Sequence, residues 1–199
     1  MKILALDLSL TRTGFAMDDG KTGTLAPPKG YDRGMKRLRW IRDHVLNLAK
    51  LNRTDLVLLE GYAFGAKGNA VFDIAELGGV VRLALFDAGY PFLILPPATV
   101  KKFATGSGNA NKELMLTQAV RVLGYRGADN NEADALWMHT MAMVAYDRSF
   151  DVPLPVAQLR VVESVAWPDR ENTPLELPPR RSRAKVATGV DDLFGNGGR

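Results

Sequence analysis

The chain has 199 residues, of which 46% are hydrophobic and 24% are charged, and its formal net charge is +4. This length and composition suit one well-buried α/β core with a modest appendage. With no cysteine and only two histidines, disulfides, zinc sites of the cysteine type and a histidine-rich metal site are excluded. A metal ion would need oxygen ligands, which favours Mg²⁺ or Mn²⁺, and the basic charge favours an acidic partner.

The N-terminus does not resemble a signal peptide, because Asp7 interrupts the first apolar run and no small-residue cleavage site follows. No stretch approaches the roughly 20 apolar residues that a membrane span needs. We therefore expect a cytoplasmic protein that makes no membrane contact.

Three short strands are predicted at the start of the chain. Residues 2–9 form an apolar run that carries one acid, and a second strand begins at Phe15. The segment 18–20, Asp-Asp-Gly, predicts a hairpin turn that returns the chain as a third strand at 22–25.

An amphipathic helix is predicted from Gly34 to Leu51, where apolar residues recur at helical spacing. Its opposite face carries the basic residues Lys36, Arg37, Arg39 and Arg42. A solvated surface is the favoured interpretation of this face.

The middle of the chain alternates strands with helices. The buried strands are predicted at residues 55–60 and 91–95, and a glycine-rich loop follows the first of them at 61–68. The helices are predicted at residues 70–88, 98–103, 112–123 and 131–147, with Asn131 as the N-cap of the last one. This alternation after an opening hairpin predicts an α/β sheet with helices on both faces.

The composition changes after Phe150, since six of the eleven prolines lie beyond it. We predict a core domain at residues 1–150 and a proline-rich, basic C-terminal extension at 151–199. The extension contains one short helix at 156–167, a basic run at 180–185 and a frayed end.

Several carboxylates occupy positions that are unusual for purely structural acids. Asp7 lies inside the apolar first strand, and Glu60 ends the strand at 55–60. Glu132 and Asp134 open a strongly apolar helix. Each of these acids could serve a turn or a helix N-terminus, but together, on elements expected to converge, they predict a functional site. Asp134 shares a helix face with Asn131, so whether Asn131 or Glu132 completes the site depends on where the helix starts.

Four segments in this order resemble the RuvC-like Holliday-junction resolvases, in particular their shorter phage-type members. The segments are ILALDLSLTRTGFA, VLLEGYAFG, PPATVKKFATGSGNANK and NEADALWMH, within residues 3–146. The resemblance implies an RNase H-like fold, with a five-stranded mixed sheet flanked by helices, and a homodimer. It also extends the cytoplasmic expectation to a phage-encoded protein that acts in its host.

The resemblance implies that the chain resolves four-way DNA junctions by two symmetric, metal-dependent nicks that leave 5′-phosphate and 3′-hydroxyl ends. Two Mg²⁺ or Mn²⁺ ions about 3.5–4 Å apart would serve each active site. The implied metal ligands are Asp7, Glu60 and Asp134 with Glu132 or Asn131. The implied DNA contacts are Tyr62, Phe64, Lys67, Lys101, Lys102 and Lys112, of which Lys112 would also act on the reacting phosphate.

The sequence departs from the family pattern three residues before the last aspartate, where the family has an acid or a histidine and this chain has Asn131. The aromatic that stacks at the crossover falls on either Tyr62 or Phe64. Two hypotheses compete with that of a junction resolvase. The chain could be a non-catalytic branched-DNA-binding module, or an RNase H-fold nuclease acting on flaps, forks or RNA–DNA hybrids. Residues 190–194 weakly resemble a sliding-clamp-binding peptide, and a chance match is the favoured interpretation.

Overall fold

The computed structural model of the chain describes residues 1–62, 69–148 and 154–168. The strands in these ranges are β1 (Ile3–Asp7), β2 (Thr13–Met17), β3 (Thr22–Leu25), β4 (Leu56–Glu60) and β5 (Phe92–Leu95). The helices are α1 (Gly34–Asn52), α2 (Asn69–Asp87), α3 (Pro97–Thr105), α4 (Lys112–Leu123), α5 (Asn130–Ala145) and α6 (Val156–Glu163). Each predicted element is present, with ends shifted by a few residues.

The five strands form one mixed sheet in the order β3-β2-β1-β4-β5. The first three strands pair antiparallel, as the predicted hairpins require, whereas β1 with β4 and β4 with β5 pair parallel. Parallel neighbours need a crossover connection, which α1 and α2 provide. The predicted five-stranded mixed sheet with flanking helices is therefore confirmed.

Each face of the sheet supports its own hydrophobic core, because successive side chains of a strand point to opposite sides. Leu4 and Leu6 of β1 belong to the cluster that includes α1 and α2. Ile3 and Ala5 belong to the cluster on the other face, which includes α3, α4, α5 and α6. The apolar run of β1 is thus explained by burial on both faces.

The prediction that Asn131 caps the last long helix is wrong. Asp129 is the N-cap of α5, and its carboxylate accepts hydrogen bonds from the backbone N–H groups of Asn131 and Glu132 at 3.0 and 3.1 Å. An aspartate in the N-cap position satisfies these otherwise free donors. The Asn131 amide is consequently available for another contact.

The described part of the C-terminal extension packs on the core. Val162 of α6 is fully buried, and Gln158 donates a hydrogen bond to the Phe103 carbonyl of α3 at 2.5 Å. The basic run at 180–185 and the end at 191–199 lie outside the described residues. Among the helices in the described ranges, none has the length and apolar character that crossing a membrane requires.

Candidate active site

Three carboxylates, two of them buried and that of Glu60 half-buried, meet at one end of the sheet. Asp7 and Glu60 are the last residues of the parallel neighbours β1 and β4, in which Leu6 pairs with Leu59, so both acids leave the sheet at the same edge. Asp134 reaches them from the second turn of α5. Asp7 and Asp134 are only 8% and 6% exposed.

The third carboxylate depends on a close approach between α5 and β2. A Cβ added at Gly14 would overlap the backbone carbonyl of Asn131, so only glycine lets the first turn of α5 lie this near the strand. Gly14 pairs with Asp7 across β1 and β2. The glycine therefore brings the helix that carries Asp134 up to the strand that carries Asp7.

Burial and mutual repulsion make these carboxyls reluctant to ionise. Burial raises the pKa of Asp7 well above its usual range, and the charges of Glu60 and Asp134 add to the effect. Burial, with repulsion from Asp134, raises the pKa of Glu60 to about 7. Burial raises the pKa of Asp134 to about 6, although nearby Lys112 and Lys101 oppose the shift.

The carboxylate group fits a divalent cation. Asp7 and Glu60 share a hydrogen bond, whereas Oδ1 of Asp134 is buried and has no hydrogen-bond partner. A buried oxygen without a partner is unfavourable unless a cation or donor satisfies it. Within the described ranges, no group of three or more acidic or histidine side chains could hold a metal ion by itself. Mg²⁺ commonly keeps waters and substrate phosphates in its coordination sphere, so an open set of oxygen ligands suits it.

Two lysines flank the carboxylates from the helices that follow β5. Lys101 lies in α3, which begins at Pro97, and Lys112 is the first residue of α4, whose N-cap Asn111 accepts from the Leu114 N–H at 2.9 Å. Both ammonium groups lower the pKa of Glu60 and of Asp134, so both are near the carboxylates.

Lys102, the third predicted basic contact, is exposed and lines a different groove. That groove lies between α3 and α6 and also contains Arg160. The structure therefore brings Lys101 and Lys112 to the carboxylates and leaves Lys102 outside the group.

The two candidates for the fourth position point in different directions. Glu132 accepts a hydrogen bond from Thr22 of β3 and interacts with the Tyr125 hydroxyl, whose pKa burial raises to about 12. The Asn131 side-chain amide donates to the Arg12 carbonyl at 2.6 Å. Glu132 is thus engaged on the β3 side of α5, while Asn131 lies one turn before Asp134.

Tyr62 packs against α2. Its hydroxyl donates to the Ala75 carbonyl at 3.2 Å, and its ring lies over Gly78, where an added Cβ would overlap the hydroxyl. The Arg82 guanidinium lies 5.7 Å from the ring centroid, and its Nε donates to the Gly78 carbonyl at 3.0 Å. These contacts with α2 were not predicted, because they join positions 13 to 20 residues apart that carry no local motif.

A cavity of about 220 Å³ extends from the carboxylates to this tyrosine, bounded by Asp7, Glu60, Tyr62, Ile74 and Arg82. Phe64 and Lys67, the other predicted DNA contacts in this loop, lie outside the described residues. Of the three predicted DNA contacts in this loop, the structure thus describes Tyr62, which borders the acidic site.

The sheet is five-stranded and mixed, with acids at the ends of its central parallel strands and a third acid on a helix packed against them. This combination defines a nuclease core of the RNase H-like class. The family model described as "Crossover junction endodeoxyribonuclease RuvC" matches residues 3–141. The chain belongs to this family, whose members are metal-dependent endonucleases acting on DNA crossover junctions.

Curated relatives carry the same description. The chain is 31% identical over 146 residues to the RuvC protein of Rhodococcus opacus, which covers 68% of this chain and 77% of that protein. It is 30% identical over 166 residues to the RuvC protein of an Anaeromyxobacter species, which covers 83% and 79% respectively.

Solved structures share the fold. Thermus thermophilus RuvC aligns with a TM-score of 0.56 at 23% identity and covers 73% of this chain and 95% of that one. The same protein in complex with a Holliday junction substrate aligns with a TM-score of 0.54 at 24% identity, covering 69% and 89%. These alignments support the RNase H-like architecture.

Proposed function

We propose that this chain resolves four-way DNA junctions by hydrolysing phosphodiesters at the site formed by Asp7, Glu60 and Asp134. The observation that carries the proposal is the convergence of three largely buried carboxylates, one with a partnerless oxygen, near two lysines. Mg²⁺ or Mn²⁺, two ions at a full site, would activate water and relieve charge on the leaving oxygen. Such hydrolysis leaves 5′-phosphate and 3′-hydroxyl ends.

The side chains divide the work by chemistry. Asp7, Glu60 and Asp134 would hold the cations, Asp134 through its partnerless oxygen. Lys112 stabilises the negative charge that develops on the phosphate, and Lys101 binds the neighbouring backbone phosphate. Lys102 contributes only to general DNA attraction, since it faces the α3–α6 groove.

Asn131 is the fourth ligand in this proposal. Its amide nitrogen donates a hydrogen bond to the Arg12 carbonyl. The amide oxygen therefore remains as an uncharged metal ligand one helical turn from Asp134. Glu132 instead connects α5 with β3 through Thr22. A neutral ligand attracts a cation less strongly than a carboxylate, so we expect the ion at this position to bind weakly.

The test of the site uses a synthetic four-way junction. Asp7→Asn is expected to abolish cleavage with Mg²⁺ and with Mn²⁺ while metal-free junction binding survives in a gel shift. Asp55→Asn, an exposed acid near the opposite end of the sheet, is the matched control and should cleave normally. Cleavage by the Asp7 variant would refute the assignment. End-labelling of the products reports the predicted 5′-phosphate.

The fourth position is tested by a pair of neighbouring substitutions. Asn131→Ala is expected to raise the Mg²⁺ concentration needed for half-maximal cleavage by about tenfold, whereas Glu132→Gln should leave it within about twofold. The reverse pattern would move the ligand to Glu132. Asn131→Asp should need the same Mg²⁺ concentration as the wild type for half-maximal cleavage, or a lower one, because it provides a charged oxygen at the same place.

We also propose that the enzyme is a homodimer that joins through α2. Phe72, Leu83 and Phe86 are 75%, 62% and 74% exposed and recur at helical spacing on one side of the helix. Gly79 lies on the same side with open space at its Cβ position, which allows a second helix to approach closely. A two-fold axis would give two sites and two symmetric nicks.

Light scattering tests the dimer. Leu83→Glu is expected to yield a monomer, because a charge would be buried between the copies. Leu51→Glu, at a leucine of α1 that is 80% exposed, is the control and should leave the assembly unchanged. A Leu83 variant that keeps the wild-type mass would refute this interface.

A substrate panel separates the remaining possibilities. Four-way junctions, forks, flaps and RNA–DNA hybrids are compared with linear duplex under single-turnover conditions, and the four-way junction is expected to be cut fastest. Tight junction binding without nicking would indicate a non-catalytic module. We propose a cytoplasmic location, where such DNA is accessible; phage origin and the clamp-binding peptide at 190–194, outside the described residues, stay predictions. A clamp pull-down unaffected by deleting residues 188–199 would eliminate the peptide.

A further inference from the structure

The positive charge of the chain is concentrated in residues 29–53. This segment contains eight lysine or arginine residues and two aspartates, a formal net charge of +6, whereas the whole chain carries +4. The remaining residues are therefore net negative by two charges. A polyanion would be attracted to this segment much more strongly than to the rest of the molecule.

The segment approaches the acidic end of the sheet. Asn52, the last residue of α1, donates a hydrogen bond to the Ile3 carbonyl at 3.1 Å, so α1 ends beside the first residue of β1. A helix of 19 residues is about 28 Å long, whereas the five residues of β1 span about 17 Å. Because the two elements pack against each other, α1 begins beyond the Asp7 end of the strand.

A groove of about 510 Å³ lies along the first turns of α1. Lys36 and Arg39 line it together with the aromatic side chains of Tyr31, Trp40 and His44. Tyr31 is 51% exposed, and the rings of Trp40 and His44 stack with their centroids 3.7 Å apart. Basic groups interleaved with flat, partly exposed rings are typical of nucleic-acid-binding surfaces.

The acidic residue of the groove does not neutralise it. Asp43 pairs with Arg42 at 2.6 Å and with Arg39 at 3.8 Å, which leaves an excess of positive charge around it. Lys36 and Arg39 are both exposed. A solvated basic helix would need no aromatic groove beside it, so the groove favours a binding surface over the solvated interpretation.

We propose that this groove is a second DNA-binding site, which holds the sugar-phosphate backbone of one duplex arm of the junction outside the catalytic centre. Lys36 and Arg39 contact phosphates, and the rings of Tyr31 and Trp40 lie against the sugars. The inference rests on the proposed function, because the occupant is an arm of its substrate. DNA is the partner that the charge complementarity favours.

The salt dependence of junction binding tests the site. Metal-free binding is measured between 50 and 200 mM salt for the wild type, for Lys36→Gln/Arg39→Gln and for Lys2→Gln/Lys21→Gln. The second pair removes the same charge from exposed positions at the opposite end of the sheet. Each lost phosphate contact lowers the slope of log affinity against log salt by about 0.9.

The slope of the groove variant is expected to be shallower than that of the wild type by about 2. The ratio of wild-type to variant affinity should therefore fall about tenfold between 50 and 200 mM salt. The control pair should keep the wild-type slope. Equal slopes in all three proteins would overturn the proposal, as would an equal loss in both double variants. Single-turnover cleavage at saturating enzyme should be the same for the groove variant and the wild type, which separates this site from the catalytic one.

Tryptophan fluorescence provides an independent readout. Trp137 and Trp167 are 0% and 7% exposed, so a change on adding DNA reports mainly on the half-buried Trp40. Long-armed junctions are expected to quench the signal, and Trp40→Phe should remove the quenching. Junctions trimmed to short arms should be cleaved without quenching. Quenching that persists in Trp40→Phe would refute the assigned surface, whereas a wild type that binds no junction would refute the proposed function instead.

Discussion

Asp134 shows how burial makes one side chain sensitive to both protons and metal. Its pKa is raised to about 6 by burial, and one of its oxygens has no protein partner. The pKa of Glu60 is likewise raised, to about 7, by burial and by repulsion from Asp134. In the metal-free protein these carboxyl groups bind protons more tightly than they do in the unfolded chain, so ionising them opposes folding.

The stability of the metal-free protein should therefore fall as pH rises. The carboxyls of Asp134 and Glu60 have a higher pKa in the folded than in the unfolded chain. Their protonation therefore stabilises the fold fully below about pH 4, and this stabilisation is lost as pH rises through 6 to 7. Asp134→Asn, which cannot ionise, should be more stable than the wild type by up to about 3 kcal/mol at pH 8 and similar near pH 4. Urea unfolding with a chelator measures this.

Magnesium should reverse the trend in the wild type, raising its Tm clearly at pH 8 and little at pH 5, because protons compete with the cation for the same oxygens. The Asp134 variant should show a smaller shift at pH 8. An Asp134→Asn protein less stable than the wild type at pH 8 without metal would contradict the assignment.

Gly78 is a second position where one atom decides the outcome. An alanine in an open helix position is more stable than glycine by up to about 1 kcal/mol, but here the new methyl would overlap the Tyr62 hydroxyl. The Tyr62 hydroxyl is the far end of a side chain that is 37% exposed and can turn away, so Gly78→Ala should lose about 1 kcal/mol or less through overpacking. In a Tyr62→Ala background the same substitution should be neutral or stabilising, and a double-mutant cycle measured by urea unfolding isolates the clash.

At the scale of elements, the start of α5 decides whether the site is assembled. Asp129 caps the helix and also receives the Arg12 guanidinium at 2.7 Å, which ties the β1–β2 loop to the same turn. Gly14 lets that turn lie against β2. The cap, the ion pair and the close approach act together to position Asp134 and Asn131 against the strand ends.

Gly14→Ala should damage stability and activity together. Its methyl would overlap the Asn131 carbonyl, and a backbone group cannot rotate away as a side chain can, so we expect a loss of about 3 kcal/mol. Cleavage measured at a temperature where the variant is still folded should fall at least tenfold, since α5 is displaced. Gly23→Ala on β3, which meets only the Phe15 ring, is the control and should cleave normally. Full activity in the Gly14 variant would contradict this account.

Across the whole molecule, a buried ionic network holds the end of the sheet opposite Asp7 and Glu60. Asp18 follows β2 with 2% side-chain exposure and accepts hydrogen bonds from His139 at 2.9 Å and Arg148 at 2.7 Å. The Ile3 N–H donates to the same carboxylate at 3.2 Å, and Arg148 also donates to the Met1 carbonyl. The network therefore joins Met1, Ile3 and Arg148 to His139 of α5.

This network should contribute to stability at neutral pH and fail in acid. Burial by itself would raise the pKa of Asp18, but the hydrogen bonds from His139 and Arg148 lower it to about 2 from the usual 3.8. Because the folded-state value is depressed, the stabilisation is present above about pH 4 and is lost as pH falls towards 2. Asp18→Asn should lose about 2 kcal/mol at pH 7 and little at pH 2.

Urea unfolding at the two pH values measures the Asp18 effect. Asp19→Asn, at the adjacent carboxylate that pairs with Lys21 on the surface, is the control and should have no measurable effect at either pH. A loss at pH 7 that persists unchanged at pH 2 would indicate a packing defect rather than an ionic contribution.

Much of the molecule could be predicted from local patterns. Hydrophobic patterns indicated most strands and helices, because burial on one or both faces of an element imposes a period of two or 3.6, and the Asp-Asp-Gly turn indicated β3. Asp7 and Glu60 stood out as acids in apolar strands, and parallel neighbours bring their carboxyl ends to one edge. The mixed sheet and family membership followed from the same segments.

What the sequence left open were contacts between residues that are distant along the chain. The choice between Asn131 and Glu132 depends on the cap residue Asp129 and on Arg12 and Thr22, which reach α5 from other elements. The sequence alone favoured a solvated surface for the basic face of α1. The proposal of a binding surface depends on the packing of the first turns of α1 near the acidic end of the sheet and on the aromatic groove there. Local sequence determines which elements form and which acids are buried; tertiary packing alone decides which side chains face each other, because that depends on the relative placement of whole elements.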